Sequence, residues 1–222
     1  ELTLEADEAL DTSVRLLISE PDGAERVIGV DRSLGAGEPQ SVSLSYDVYQ
    51  VGGHTARIEV LAEDETVMAA EVPFTVPEMF RSDFGHPVAS DDAADVWWCE
   101  STYRVMRERP AAQGAPRPLT LDAARNEWEA LQVVVRPKGE MAALDAQISN
   151  FTGADGAAIP ADEVDILEVA YVPVKVPSDQ QGSVGDWPDP LPPLEEPLSL
   201  EPRRNQPLWV RVHVPEDARP GL

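Results

Sequence analysis

The chain has 222 residues, 42% of them hydrophobic, with 17 basic against 41 acidic side chains and a net charge of −24. That length holds one large domain or two small ones, each able to bury a core. No apolar run reaches the ~18 residues of a membrane-spanning helix, and so acidic a surface repels phosphate backbones, which excludes nucleic acid as an expected partner.

Strand-like alternation begins at once. Residues 2–5, 13–19 and 26–30 read as strands, and Val42, Leu44 and Tyr46 then alternate with Ser41, Ser43 and Ser45. Ala56, Ile58 and Val60 repeat the pattern against Thr55, Arg57 and Glu59, followed by Met68, Ala70, Val72, Phe74 and Val76. Turn signals separate them at Pro21-Asp22-Gly23, Gly35-Ala36-Gly37 and Gly52-Gly53. Short strands at this spacing predict an antiparallel sandwich of immunoglobulin or fibronectin-III type over residues 1–77.

Residues 78–87, bounded by Pro77 and Pro87 and containing Gly85, read as a linker. Beyond it the period of two resumes at 96–106, 127–136, 144–150, 164–176 and 207–214. In the last, Leu208, Val210, Val212 and Val214 share one face and Trp209, Arg211 and His213 the other. Residues 122–125 could form one helical turn, and Asp162-Glu163 could open a short element. No amphipathic stretch of helical period is long enough for an α/β barrel. The predicted class is all-β, with two antiparallel β-sandwich domains in tandem.

Between Pro177 and Pro202 the sequence predicts a long irregular loop, made stiff and extended by its prolines. The C-terminal Val214-Pro-Glu-Asp-Ala-Arg-Pro-Gly-Leu reads as a strand and a turn whose returning partner is missing, so a fragment of a longer protein is expected. No basic-then-apolar leader follows Glu1, which a trimmed start explains as well as a cytoplasmic address. Only Lys138 and Lys175 are lysines, a shortage that both a high-salt habitat and a GC-rich genome would produce.

Four stretches carry a family resemblance. They are Val96-Trp-Trp-Cys-Glu-Ser-Thr-Tyr-Arg-Val, Ala124-Arg-Asn-Glu-Trp-Glu-Ala-Leu-Gln-Val-Val-Val, Trp187-Pro-Asp-Pro-Leu and Gln206-Pro-Leu-Trp-Val-Arg-Val-His-Val-Pro-Glu-Asp-Ala-Arg-Pro-Gly. In this order they make residues 88–222 resemble the N-terminal β-sandwich of bacterial proteins related to glycoside hydrolase family 123. The first 77 residues look only generically immunoglobulin-like.

The resemblance implies a catalytic (β/α)₈ barrel downstream, with an adjacent Asp-Glu pair working by substrate-assisted hydrolysis. None of that chemistry can be carried onto a residue of this chain. The expected role is a non-catalytic accessory region that braces the barrel, with carbohydrate as a further partner and an extracellular or periplasmic location. An adhesion or carbohydrate-binding module of tandem immunoglobulin-like domains, with no enzyme attached, is the alternative.

No catalytic, cofactor-binding or metal residue is expected. The acid runs Asp7-Glu8, Glu63-Asp64-Glu65 and Asp162-Glu163 read as solvated surface charge, since strand neighbours point to opposite faces. Asp91, Asp92 and Asp95, with Asp83 nearby, lack a calcium-loop pattern, and His54, His86 and His213 lack zinc spacing. The lone Cys99 reads as a buried small hydrophobe.

The five tryptophans remain. Trp97 and Trp98 are expected to point one in and one out. Trp128, sharing a face with Ala130 and Val134, is expected in the core. Trp187 and Asp189, on the Pro-rich loop, and Trp209 are the candidates for contact with carbohydrate or a neighbouring domain. Truncating an exposed Trp187 would then leave stability nearly unchanged.

Overall fold

The structure, a computed structural model, describes residues 2–153, 156–178 and 182–219. It is all-β, with 51% of residues in strands and 3% in short helical turns. Two compact units divide it, Glu1–Arg81 and Ser82–Leu222.

The first unit holds β1 (Leu2–Leu4), β2 (Leu10–Ser19), β3 (Glu25–Leu34), β4 (Gln40–Val42), β5 (Gly52–Ala62) and β6 (Glu65–Val76). Four of them form an antiparallel sheet in the order β3-β2-β5-β6, and β1 pairs with β4. Val14 stands opposite both Val30 and Val60, which puts the apolar rows of three strands on one face. Leu4 and Val42 pack on that row with Val14, Leu34 and Val60. The β5–β6 turn carries Glu63 and Asp64 at φ 49° and 65°. Positive φ at both central residues is what a tight hairpin with the twist of its strands requires.

Two expectations change here. Pairing stops at Val42, so residues 43–49 are not a strand. Side chains hold that stretch instead: the Tyr46 hydroxyl donates to Glu20 Oε1 at 3.0 Å, and Gln50 Nε2 donates to Asp22 Oδ2 at 2.8 Å. The apolar row of β6 is also not core, since Met68 and Val72 are exposed. β6 pairs only with β5, and none of its residues belongs to the buried cluster under β1 and β4.

The second unit begins with β7 (His86–Ser90), β8 (Ala94–Glu100), β9 (Glu127–Pro137) and β10 (Met141–Leu144). Next come the short β11 (Phe151–Thr152) and β12 (Ala158–Ile159), then β13 (Val164–Glu168), β14 (Tyr171–Val174), β15 (Gly185–Pro188), β16 (Leu198–Leu200) and β17 (Gln206–Val214). A five-stranded antiparallel sheet runs β13-β17-β9-β8-β7, with β10–β16, β11–β12 and β14–β15 as two-stranded ribbons. Residues 125–126 make a turn rather than a helix, and Ala161–Glu163 forms a short 3₁₀ turn. Within the stretch read as a linker, Glu78–Phe80 is a 3₁₀ turn and His86 already starts β7.

Both faces of the central strands are covered. On one, Ala94 and Val135 pack with Leu200, Met141 and Leu144. On the other, Trp97, Cys99 and Val134 pack with Val105, Ala111 and Ala112. Trp97 and Trp98 are therefore both buried, although they point to opposite sides. Gly85, at φ +91°, lies so close that a Cβ there would sit 2.7 Å from the Trp97 ring.

The segment covering the Trp97 face has no regular structure. The strand expected over 96–106 ends at Glu100, and Val105 and Met106 are fully buried in irregular backbone. Buried carbonyls without ladder partners need other donors. Gln132 Nε2 donates to Tyr103 O at 2.8 Å, Asn205 Nδ2 to Met106 O and Arg109 O, and Arg136 Nη1 to Arg109 O. The Tyr171 hydroxyl donates to Val105 O at 2.7 Å. Four side chains, two from β9, one from β14 and one just before β17, thus substitute for a neighbouring strand.

Candidate functional site

The β14–β15 ribbon projects the candidate residues. Its register sets Val172 opposite Trp187 and Pro173 opposite Asp186. Trp187 is half-buried; its indole N–H donates to Ser183 O at 2.8 Å, and the Arg104 guanidinium lies 5.6 Å from its ring centre. Residues 185–188 are therefore ordered strand, not the irregular loop that the prolines suggested.

On the neighbouring position Asp186 is held by cations. Arg204 Nη2 donates to its Oδ2 at 2.7 Å, and Arg107 Nε approaches the same oxygen at 3.8 Å. Arg204 also reaches Glu108 at 3.0 Å and Glu201 at 2.9 Å. The Arg107 guanidinium stacks 4.1 Å over the Tyr171 ring, and burial pushes the Tyr171 phenol far above its ordinary range. Three arginines, three carboxylates and two aromatic rings lock the ribbon to the 101–109 segment. Glu108, Asp186 and Glu201 each face a guanidinium, so this cluster offers rigidity rather than a free acid and base.

The remaining proline-rich residues run along the free edge of β13. Glu168 N donates to Pro192 O at 2.9 Å, Leu194 N to Ile166 O at 3.2 Å, and Asp189 N to Ala170 O at 3.1 Å. A segment unable to form a full ladder blunts the sheet edge in this way. Asp189 is exposed beside Trp187, while Trp209 lies half-buried on β17, opposite Gln132 and Leu167. The structure brings Trp187 and Asp189 together on one ribbon and sets Trp209 apart on the sheet.

The acidic candidates are accounted for locally. Asp91 Oδ1 accepts from Ala93 N and Ala94 N, and the Ala94 and Ala93 amides hold its carboxyl below the usual range. Asp95 pairs with Lys138 at 3.2 Å and accepts from Ser90 Oγ. Asp7, Glu8, Glu63, Asp64 and Glu65 are exposed. Among the described residues no three His, Cys, Asp or Glu side chains are arranged to hold a metal. An apolar cavity of about 30 Å³ in the first unit, lined by Leu2, Val14, Val42 and Ile58 among others, has room for a water-sized guest only.

Residues that the sequence reading passed over do much of the positioning. Arg109 is 1% exposed, with its guanidinium 4.0 Å from the Phe84 ring and 4.3 Å from the Trp97 ring. It donates to Pro110 O, Ser82 O and Phe84 O. The one local hint was Gln132, a polar residue in the otherwise apolar Leu131–Val135 run. Trp128 corrects the sequence expectation: it is 50% exposed. Along β9 the same face goes from buried Val134 and Gln132 through half-buried Ala130 to open Trp128, because the 101–112 cover does not extend that far.

The sequence model of the glycoside hydrolase 123 N-terminal domain matches residues 98–222. Among solved structures, a family 123 glycoside hydrolase from Clostridium perfringens, described for glycolipid glycan hydrolysis, is similar at 17% identity with a TM-score of 0.40. The similarity covers 45% of this chain but only 17% of that enzyme. The search of curated proteins returned no match.

Proposed function

The chain belongs to the glycoside hydrolase 123 N-terminal domain family, and from that premise we propose that it is the non-catalytic N-terminal part of a larger glycoside hydrolase. In this reading residues 1–77 are an immunoglobulin- or fibronectin-III-like spacer sandwich, joined through 78–87 to a larger sandwich over 88–222. The second domain braces a catalytic domain that follows in the same chain, outside the cell or in the periplasm.

The observation that carries the reading is the β14–β15 ribbon. Ion pairs and stacking hold it rigid from beneath, while Val172, Val184 and Leu191 stay exposed around Trp187. A stiff ribbon bearing apolar side chains suits a permanent contact within one polypeptide, because little order is lost on docking. Trp187 and Asp189 would then stand at the seam, where a glycan approaching the catalytic domain passes.

Hydrogen exchange tests it. In a chain extended by the downstream domain, the non-proline amides of residues 171–174 and 185–191 should gain at least about tenfold protection over the 222-residue chain. Equal exchange in the two proteins would refute docking through this ribbon. The 222-residue chain should also release no nitrophenol from aryl N-acetylhexosaminides, and measurable turnover by it would refute the non-catalytic role.

A further inference from the structure

We propose a second site, distinct from the β14–β15 ribbon: the open end of the five-stranded sheet, centred on Trp128, binds one or two rings of a neutral, β-linked glycan. The register of three strands assembles it. His213 stands opposite Trp128, and Arg211 stands opposite both Ala130 and Asp165. Glu163, in the turn before β13, completes the group.

Two side chains pack against the indole. The His213 ring stacks on Trp128 at 4.8 Å and 26°, and the Arg211 guanidinium lies 4.5 Å from the same ring. Each prop is fixed in turn by a carboxylate. His213 Nδ1 meets Glu163 Oε2 at 2.7 Å, and since a carboxylate only accepts, that nitrogen carries the proton. Arg211 Nε and Nη2 both donate to Asp165 Oδ2, at 3.1 and 2.5 Å. The indole is thus held in place by two fixed neighbours while half its surface faces solvent.

That arrangement fits a sugar better than other ligands. A fixed, flat π-face takes the C–H face of a pyranose whose substituents are equatorial. Ring hydroxyls then lie over the rim, where the second oxygens of Glu163 and Asp165 have no partner among the described residues and can accept. Arg211 and His213 are already paired, and the chain carries −24, so the site has no cation to offer a uronate, sulfate or phosphate. Preformed props leave little entropy to lose on binding.

The test uses the 222-residue chain with cellotetraose, chitotetraose and β-1,4-galactotetraose as probes. Each is titrated to about 10 mM, because one stacking platform supports binding only in the millimolar range. The indole N–H resonances are followed by NMR, with that of Trp128 assigned from Trp128→Phe. At least one tetraose should shift the Trp128 resonance saturably and leave that of Trp187 in place. In the variants, which lack that indole, the titration is followed through the backbone amides of Arg211 and His213: Trp128→Ala should weaken it by about tenfold or more, and Trp128→Phe should keep most of the affinity. Trp128→Phe should melt close to the parent, and Trp128→Ala, which gives up the buried half of the ring, should melt lower but stay folded at the titration temperature by far-UV circular dichroism.

No shift with any of the three, or undiminished affinity in Trp128→Ala, would overturn the proposal. So would a tighter response to choline or to a galacturonate oligomer. The outcome is independent of docking through the β14–β15 ribbon, which is read from different residues in a different experiment.

Discussion

Replacing Arg109 with Ala is the sharpest test of how the second unit is held together. The guanidinium is sandwiched against Phe84 and Trp97 and donates to three carbonyls, of Ser82 at 3.0 Å, Phe84 at 3.1 Å and Pro110 at 3.1 Å. Removing it leaves those acceptors without their charged donor and opens a void beside Trp97. Charged hydrogen bonds contribute ~1.5–3 kcal/mol each, but burying a guanidinium costs several kcal/mol of solvation. The expected net loss is about 3–5 kcal/mol, from three buried acceptors left unsatisfied at ~1–3 kcal/mol each plus the lost packing, less the solvation cost recovered. For a unit of this size that lowers the melting temperature by ~10 °C. Near-UV circular dichroism of the Trp97 environment, followed through thermal unfolding, reads it directly. Arg109→Lys should lose nearly as much, because an ammonium cannot stack flat and reach the same three carbonyls. A loss below about 1 kcal/mol, or full rescue by Lys, would refute this account of the 101–112 cover.

Two further outcomes follow from geometry. Trp187→Ala should destabilise by about 2–3 kcal/mol, from roughly 100 Å² of lost apolar burial and the hydrogen bond to Ser183 O; an unchanged urea midpoint would mean that the indole stands free in solvent. Burial pushes the Cys99 thiol up to about 12 from the usual 9, so it should resist iodoacetamide at pH 8 until the unit unfolds. Above about pH 9 the unfolded chain releases that proton and the folded chain keeps it, so stability falls with rising pH by ~1.4 kcal/mol per unit until about pH 12. A flat stability profile over that window in comparison with Cys99→Ala would contradict the burial.

The central strands were legible because their signal is local. Alternation in Leu208–Val214 and Ala56–Val60 gives β17 and β5 to within a few residues, since each row of side chains lies along a continuous sheet face. Of the β14–β15 hairpin only β14 was legible, inside the strand expected over 164–176. The prolines around β15 resemble a loop, and the ion pairs that fix the ribbon join residues up to 96 positions apart. Of the candidate contact residues, Trp187 and Asp189 meet on the ribbon, whereas Trp209 belongs to the sheet.

Exposure of the tryptophans separates the two kinds of information most clearly. Alternation assigns Trp97 and Trp98 to opposite faces, and it puts Trp128 on the row of Val134, from residue order alone. It carries no information about what lies above either face. Residues 101–112 bury Trp97 and the β10–β16 ribbon, distant in sequence, covers Ala94 and Val135 on the other face, where Trp98 is buried beside His86, while Trp128 stays half exposed. The period of the chain thus determined its all-β class and which residues share a face. Tertiary packing decided which of those faces meets water, because burial depends on chain that arrives from elsewhere.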